Sequence, residues 1–155
     1  MGEKADKDES RMIRYEHIQR GTVVVVSLLV GAAFCLFLQA LIPAPRFVLL
    51  VAAGILMLCA FLFSSLTIQI TDRALRWHFG PGLIHKQVSL SEIQEAEPTR
   101  IKFIYGWGIH LTPRGWLYNV SGFQAVAVRL RSEKRFLLGS DEPEKLRAAI
   151  LRALP

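Results

Sequence analysis

Residue types able to do covalent or metal chemistry are thinly spread along this chain. Outside the first twenty residues the imidazoles are His78, His85 and His110. They lie far apart, form no i, i+4 pair, and have no Cys or acidic neighbour at ligand spacing, so they predict no metal centre. No Gly-x-Ser-x-Gly elbow or comparable motif sets a hydroxyl nucleophile beside a base. Cys35 and Cys59 both fall inside apolar runs. A thiol there is inert and serves packing. The rest of the chain has no Cys for a disulfide or a Cys metal cage, which suits a reducing cytoplasm. The expectation is therefore no catalytic residue, no metal and no cofactor, and a function exerted through position and surface.

Two sets of side chains suit surface chemistry. From Thr67 to Pro155 there are 13 Lys plus Arg against 8 Asp plus Glu, a difference of +5. Arg73, Arg76 and Lys86, near the first predicted hairpins, are the candidate lipid-facing cations. An anionic leaflet attracts such groups by roughly 1 kcal/mol each, and salt screens the attraction. The second set is Trp107, His110, Arg114, Trp116 and Tyr118, spread over the turns Gly106-Trp107-Gly108 and Pro113-Arg114-Gly115-Trp116. Trp and Arg commonly anchor protein interfaces, and Trp equally serves as core in small sheet domains, so both roles stay open. Spaced cations without a run of surface aromatics argue against single-stranded nucleic acid.

What must position these groups is unusual at the N-terminal end. Thr22 to Ile42 and Phe47 to Leu66 contain no Asp, Glu, Lys or Arg, and only Pro43-Ala44-Pro45-Arg46 separates them. At 1.5 Å per residue, roughly 20 residues cross the ~30 Å hydrocarbon layer. The first run continues through Phe34 to Leu38 as far as Pro43, unlike the shorter apolar core of a cleaved signal peptide. Neither run has the polar stripe of a half-wet soluble helix. The pair reads as a transmembrane hairpin, with Gly31-Ala32-Ala33 and Ala52-Ala53-Gly54 permitting close helix approach. Lys4, Lys7, Arg11, Arg14 and Arg20 precede it, Arg73 and Arg76 follow it, and its tip has only Arg46, which predicts that both chain ends face the cytoplasm. Met1 to Ser10 reads as disordered. Arg11 to Arg20 reads either as a short helix in the headgroup layer or as a helical extension of the first span, since Met12, Tyr15 and Ile18 recur every third position.

After the hairpin the period changes to two. Ile68 and Ile70 alternate with Thr67, Gln69 and Thr71; Leu75, Trp77 and Phe79 alternate with Arg76 and His78. Leu83 to Leu90, Ile101 to Tyr105, Ile109 to Thr112, Trp116 to Val120, Ala125 to Arg131 and Lys134 to Leu138 add further strands, for about seven in all. Ser91 to Glu95 reads as a helical turn or short strand. The chain then closes with a helix, capped by Asp141 with Glu144 three residues on and Pro143 in the first turn. Leu146, Ala149, Ile150, Ala153 and Leu154 make its apolar stripe. The division predicted is a tail over 1–20, a two-helix hairpin over 21–66 and a sheet domain over 67–155. The class is α+β: a transmembrane α-helical hairpin, then a β-barrel capped by the terminal helix.

Particular stretches carry a resemblance. The run from Leu66 to Trp77, the strand Leu83 to Leu90 entering Ser91-Glu92-Ile93, and the close from Phe136 to Leu146 resemble the pleckstrin-homology-like domain of small bacterial membrane proteins. A two-span hairpin directly before the domain is similar to that family as well, and so is the stretch from Gly106 through Val120. The resemblance implies a fold and a setting, a small barrel at the bacterial inner membrane, more than a reaction. The function expected is a non-enzymatic scaffold or interaction module, binding a membrane protein or its own copy. The alternatives are a sensor of anionic lipid and an accessory subunit of a larger membrane complex.

Overall fold

The computed structural model describes residues 13–41 and 46–155. The opening segment through Met12, including Arg11, and the Pro43-Ala44-Pro45 link lie outside the described residues. Helix α1 is Thr22–Leu41, 20 residues without a charge, and among the described residues it alone is long and apolar enough to cross a bilayer. Helix α2 is Arg46–Leu62, whose apolar part, Phe47–Leu62, is shorter. The expected second run to Leu66 is corrected here, because Ser65 and Leu66 belong to a strand and Leu66 is fully buried opposite Gln19 and Phe79. The small residues act as expected in part. Ala32 and Ala53 are buried, and a Cβ on Gly31 would touch Leu56, but Gly54 faces open space.

Residues 13–20 form neither a headgroup helix nor a helical extension. They are strand β1, Ile13–Arg20, paired antiparallel with β2, Ser65–Thr71. The three-residue recurrence misled because the residues facing inward are Tyr15, His17 and Gln19, opposite Ile70, Ile68 and Leu66. Polar side chains at inward positions hide a period of two. Each of the last two has a partner: His17 Nε2 lies 2.5 Å from Asp141 Oδ1, and Gln19 Nε2 donates to the Ser121 carbonyl over 2.9 Å. The apolar Ile18 points outward and is 54% exposed.

Strands β3, Ala74–Phe79, and β4, Ile84–Ser89, complete a four-stranded antiparallel sheet in the order β1-β2-β3-β4. After a 3-10 turn at Leu90–Glu92 come β5, Ile93–Arg100, and a crossing segment with a second 3-10 turn at Phe103–Tyr105. Strands β6, Gly108–Thr112, β7, Gly115–Asn119, β8, Gln124–Leu130, and β9, Arg135–Gly139, follow. The second sheet runs β5-β8-β9-β7-β6, antiparallel except for β7 against β9. Among the described residues the strands thus number nine, in two sheets that do not close on each other, where about seven were expected. The additions are β1 and β5. Pro98 masks β5 in the sequence, and an edge strand tolerates it. Ile101 to Tyr105 was expected as a strand and instead crosses over the sheet as coil and 3-10 turn.

The inner faces share one core of Ile68, Ile70, Leu75, Trp77, Phe79, Val126, Val128 and Leu138, which helix α3, Pro143–Ala153, enters with Leu146 and Ile150. Trp77 stacks on Phe136 at 4.9 Å and meets Tyr118 edge-on at 5.2 Å. Burying each large apolar side chain contributes about 1.5–3 kcal/mol. The expected Asp141 cap is absent: the capping position is Glu142, without a side-chain cap bond, and Asp141 is drawn to His17.

The hairpin joins the sheet without slack. Gly21 N donates to the Ser64 carbonyl over 2.8 Å, and a Cβ at Gly21 would come within 2.5 Å of the Phe63 carbonyl oxygen. On the other flank Gly80, with φ +42°, donates to the Ser65 carbonyl, and a Cβ there would press on the carbonyls of Phe61 and Leu62.

Candidate functional site

The three expected lipid-facing cations do not share a surface. Arg73 is exposed in the β2–β3 turn. Arg76 stands on β3 between Gln69 and Gln87, whereas Lys86 on β4 lies opposite Trp77. Cross-strand partners share a face and neighbours in sequence alternate, so Arg76 and Lys86 project from opposite faces.

The expected interface residues divide likewise. Tyr118 is a core residue, 8% exposed against Trp77 and Phe79, and this burial raises its hydroxyl pKa above the ordinary 10.0. Its candidacy as an interface residue is corrected on that ground. Trp107 is half-buried, 6.1 Å from Phe123, with its indole N–H unpartnered. His110 is exposed and its Nε2 sits 2.7 Å from the Trp107 carbonyl, so that nitrogen carries the proton and donates. Arg114 is exposed and its Nη1 donates to Thr99 Oγ1 over 2.9 Å. Trp116 is 49% exposed beside its cross-strand partner Leu111, itself 69% exposed.

That last pair sits where the sheet ends. Strand β6 is the last in its sheet, and among the described residues no further strand pairs with it. Inward-facing Ile109 packs against the core, while Leu111, on the same face, extends beyond it into solvent with Trp116. At the other end of this sheet, α3 packs beside β5 and also reaches β8, β2 and β1.

A second feature escaped the sequence reading. The outer face of the five-stranded sheet has its own small core of Leu117, Ala125 and Leu137, roofed by Ile101 and Tyr105 of the crossing segment. Between that segment and the β6–β7 turn lies a cavity of about 160 Å³ bordered by Arg100, Lys102 and Arg114. The only signal for it was the alternation Arg100-Ile101-Lys102-Phe103, which resembles any half-wet strand. Among the described residues no group of His, Cys, Asp and Glu is arranged to hold a metal ion.

No protein-family model matches the chain, and neither the curated proteins nor the solved structures contain a significant match.

Proposed function

We propose that this chain is a non-enzymatic interaction module anchored in the bacterial inner membrane. In this reading α1 and α2 form a membrane hairpin, both chain ends lie in the cytoplasm, and the sheet domain is of the pleckstrin-homology-like kind. The open edge of β6 takes a strand from another membrane protein or from a second copy of the chain. The carrying observation is the exposed pair Leu111 and Trp116 at the end of the sheet, where among the described residues no strand pairs with the outer side of β6. Such an edge offers backbone donors and acceptors for strand addition, and an aromatic anchor next to it supplies selectivity.

The hairpin reading is supported by the uncharged α1 and by the cations Arg14 and Arg20 just before it. At 17 residues α2 is ~26 Å long, so it spans with local thinning of a ~30 Å hydrocarbon layer. A photo-crosslinking residue at position 111, compared with one at Glu95, tests the edge in intact membranes. A discrete adduct to one membrane protein or to the chain itself at 111 alone is expected. Equal, diffuse labelling at both positions would overturn the proposal.

A further inference from the structure

With α1 and α2 in the membrane, the end of the domain that adjoins the hairpin lies at the bilayer surface. The turn from Val120 to Phe123 is fastened to that root: Gln19 donates to the Ser121 carbonyl, and Val120 Cβ would lie 3.2 Å from a Cβ at Gly21. The same turn holds the start of the crossing segment, because Ile101 N donates to the Phe123 carbonyl over 2.8 Å. From there the segment displays Phe103 and Ile104, 78% and 83% exposed, with Phe103 and Trp107 both ringed around Phe123. On the other flank of the root the turn after Gly80 displays Leu83, 73% exposed. Apolar side chains with no place in either core thus gather from two sheets at the single end from which the helices depart.

Behind Phe103 and Ile104 lies the cavity of Arg100, Lys102 and Arg114. Its floor is apolar, formed by Ile101, Leu117 and Leu137, and no carboxylate lines it. Glu97, on the same face, borders a separate cavity. The bond from Arg114 to Thr99 carries that guanidinium from the far turn to within one residue of the end of β5. A guanidinium has five N–H donors, so one bond fixes it without exhausting them. The volume, about 160 Å³, far exceeds the ~10–15 Å³ that a single water needs.

We infer that this cavity binds the phosphate of an anionic phospholipid headgroup, with Phe103 and Ile104 inserted at the acyl boundary. The inference rests on the membrane reading of α1 and α2. Converging cations suit a phosphate from any source, since Arg and Lys are its usual partners. The neighbouring exposed apolar pair selects a lipid over a free phosphate, because an interfacial wedge and a headgroup site serve one amphiphile.

The test uses the full chain in detergent, titrated with phosphatidylglycerol, phosphatidylcholine or inorganic phosphate and followed by native mass spectrometry. Retention of one phosphatidylglycerol, at least about tenfold preferred over phosphatidylcholine, is expected. Lys102→Gln with Arg114→Gln should weaken it about 25-fold, the effect of two near-surface cations at roughly a factor of five each. Arg76→Gln with Lys86→Gln should leave it unchanged. Retention undiminished in the Lys102 and Arg114 variant would overturn the assignment, as would saturation by inorganic phosphate with no lipid preference. The wedge has its own readout: brominated acyl chains in nanodiscs should quench Trp107, and Trp107→Phe should abolish that quenching. Maleimide labelling of Cys35 and Cys59 without detergent separates the two failures. Free labelling would sink the membrane reading and this inference together, whereas protected thiols without phosphatidylglycerol retention would sink this inference alone.

Discussion

The four-stranded sheet buries one face, whereas the five-stranded sheet buries one face and part of the other. In the first, Ile68, Trp77 and Phe79 face the shared core while Glu16, Gln69, Arg76 and Gln87 form a polar row outside. In the second, Val126 and Val128 enter the shared core while Ala125, Leu117 and Leu137 need the separate roof from Ile101 and Tyr105. A sheet with apolar residues on both faces spends chain on covering itself. The covering segment then becomes a surface of its own, and it is there that exposed apolar groups and converging cations meet.

The largest contrast should come from truncating one fully buried residue in each core. Ile68→Ala should cost about 4 kcal/mol, because its cavity opens in the middle of the large shared core. Leu117→Ala, equally buried, should cost about 2.5 kcal/mol, since a thin roof can settle into the gap. Thermal unfolding followed by Trp fluorescence in detergent measures both, and equal costs would show that the outer core is as rigid as the inner one. The turns give the next contrast. Gly115, at φ +111°, would drive a Cβ into the Arg135 backbone, so Gly115→Ala should cost about 3 kcal/mol. Gly82, at φ +92°, faces only His78 Nδ1 at 3.9 Å, and Gly82→Ala should cost about 1 kcal/mol of backbone strain.

The smallest effect is alkaline. Tyr15 in the first sheet has its pKa raised by burial and then by Glu142 and Asp141, and Tyr118 in the second by burial alone. A proton held more tightly in the folded chain gives stability that is fully present below pH 10.0, the ordinary tyrosine value, and lost as pH rises through the raised values. Tyr15→Phe should flatten that alkaline loss and cost little at neutral pH, because the Tyr15 hydroxyl is buried without a partner. Unfolding midpoints between pH 8 and 11 would check it.

Elements that state their period in apolar residues were legible in the sequence. The uncharged Thr22–Leu41, the alternation of β2 and β3, and the Leu146, Ile150, Ala153 stripe of α3 all formed as read. Strand β1 was not legible, because its inward positions are Tyr, His and Gln and their partners lie 47 to 124 residues away. The boundary at Leu66 failed for a related reason: a leucine continuing an apolar run looks the same whether lipid or a sheet surrounds it. The cavity on the second sheet was hidden because Arg114 of the β6–β7 turn and Thr99 of β5, 15 residues apart in the chain, meet only in the folded domain. Separation of Arg76 from Lys86 required the strand register, which alternation alone does not supply across a turn.

Because β1 and β2 hydrogen-bond across the whole helical insertion, the sheet domain is discontinuous in the chain. During synthesis its first strand emerges well before the partner that completes it, so assembly of the sheet must wait until both helices have found their places. A fragment beginning after the helices would lack an edge strand, leaving β2 bare and His17 missing from its place against α3.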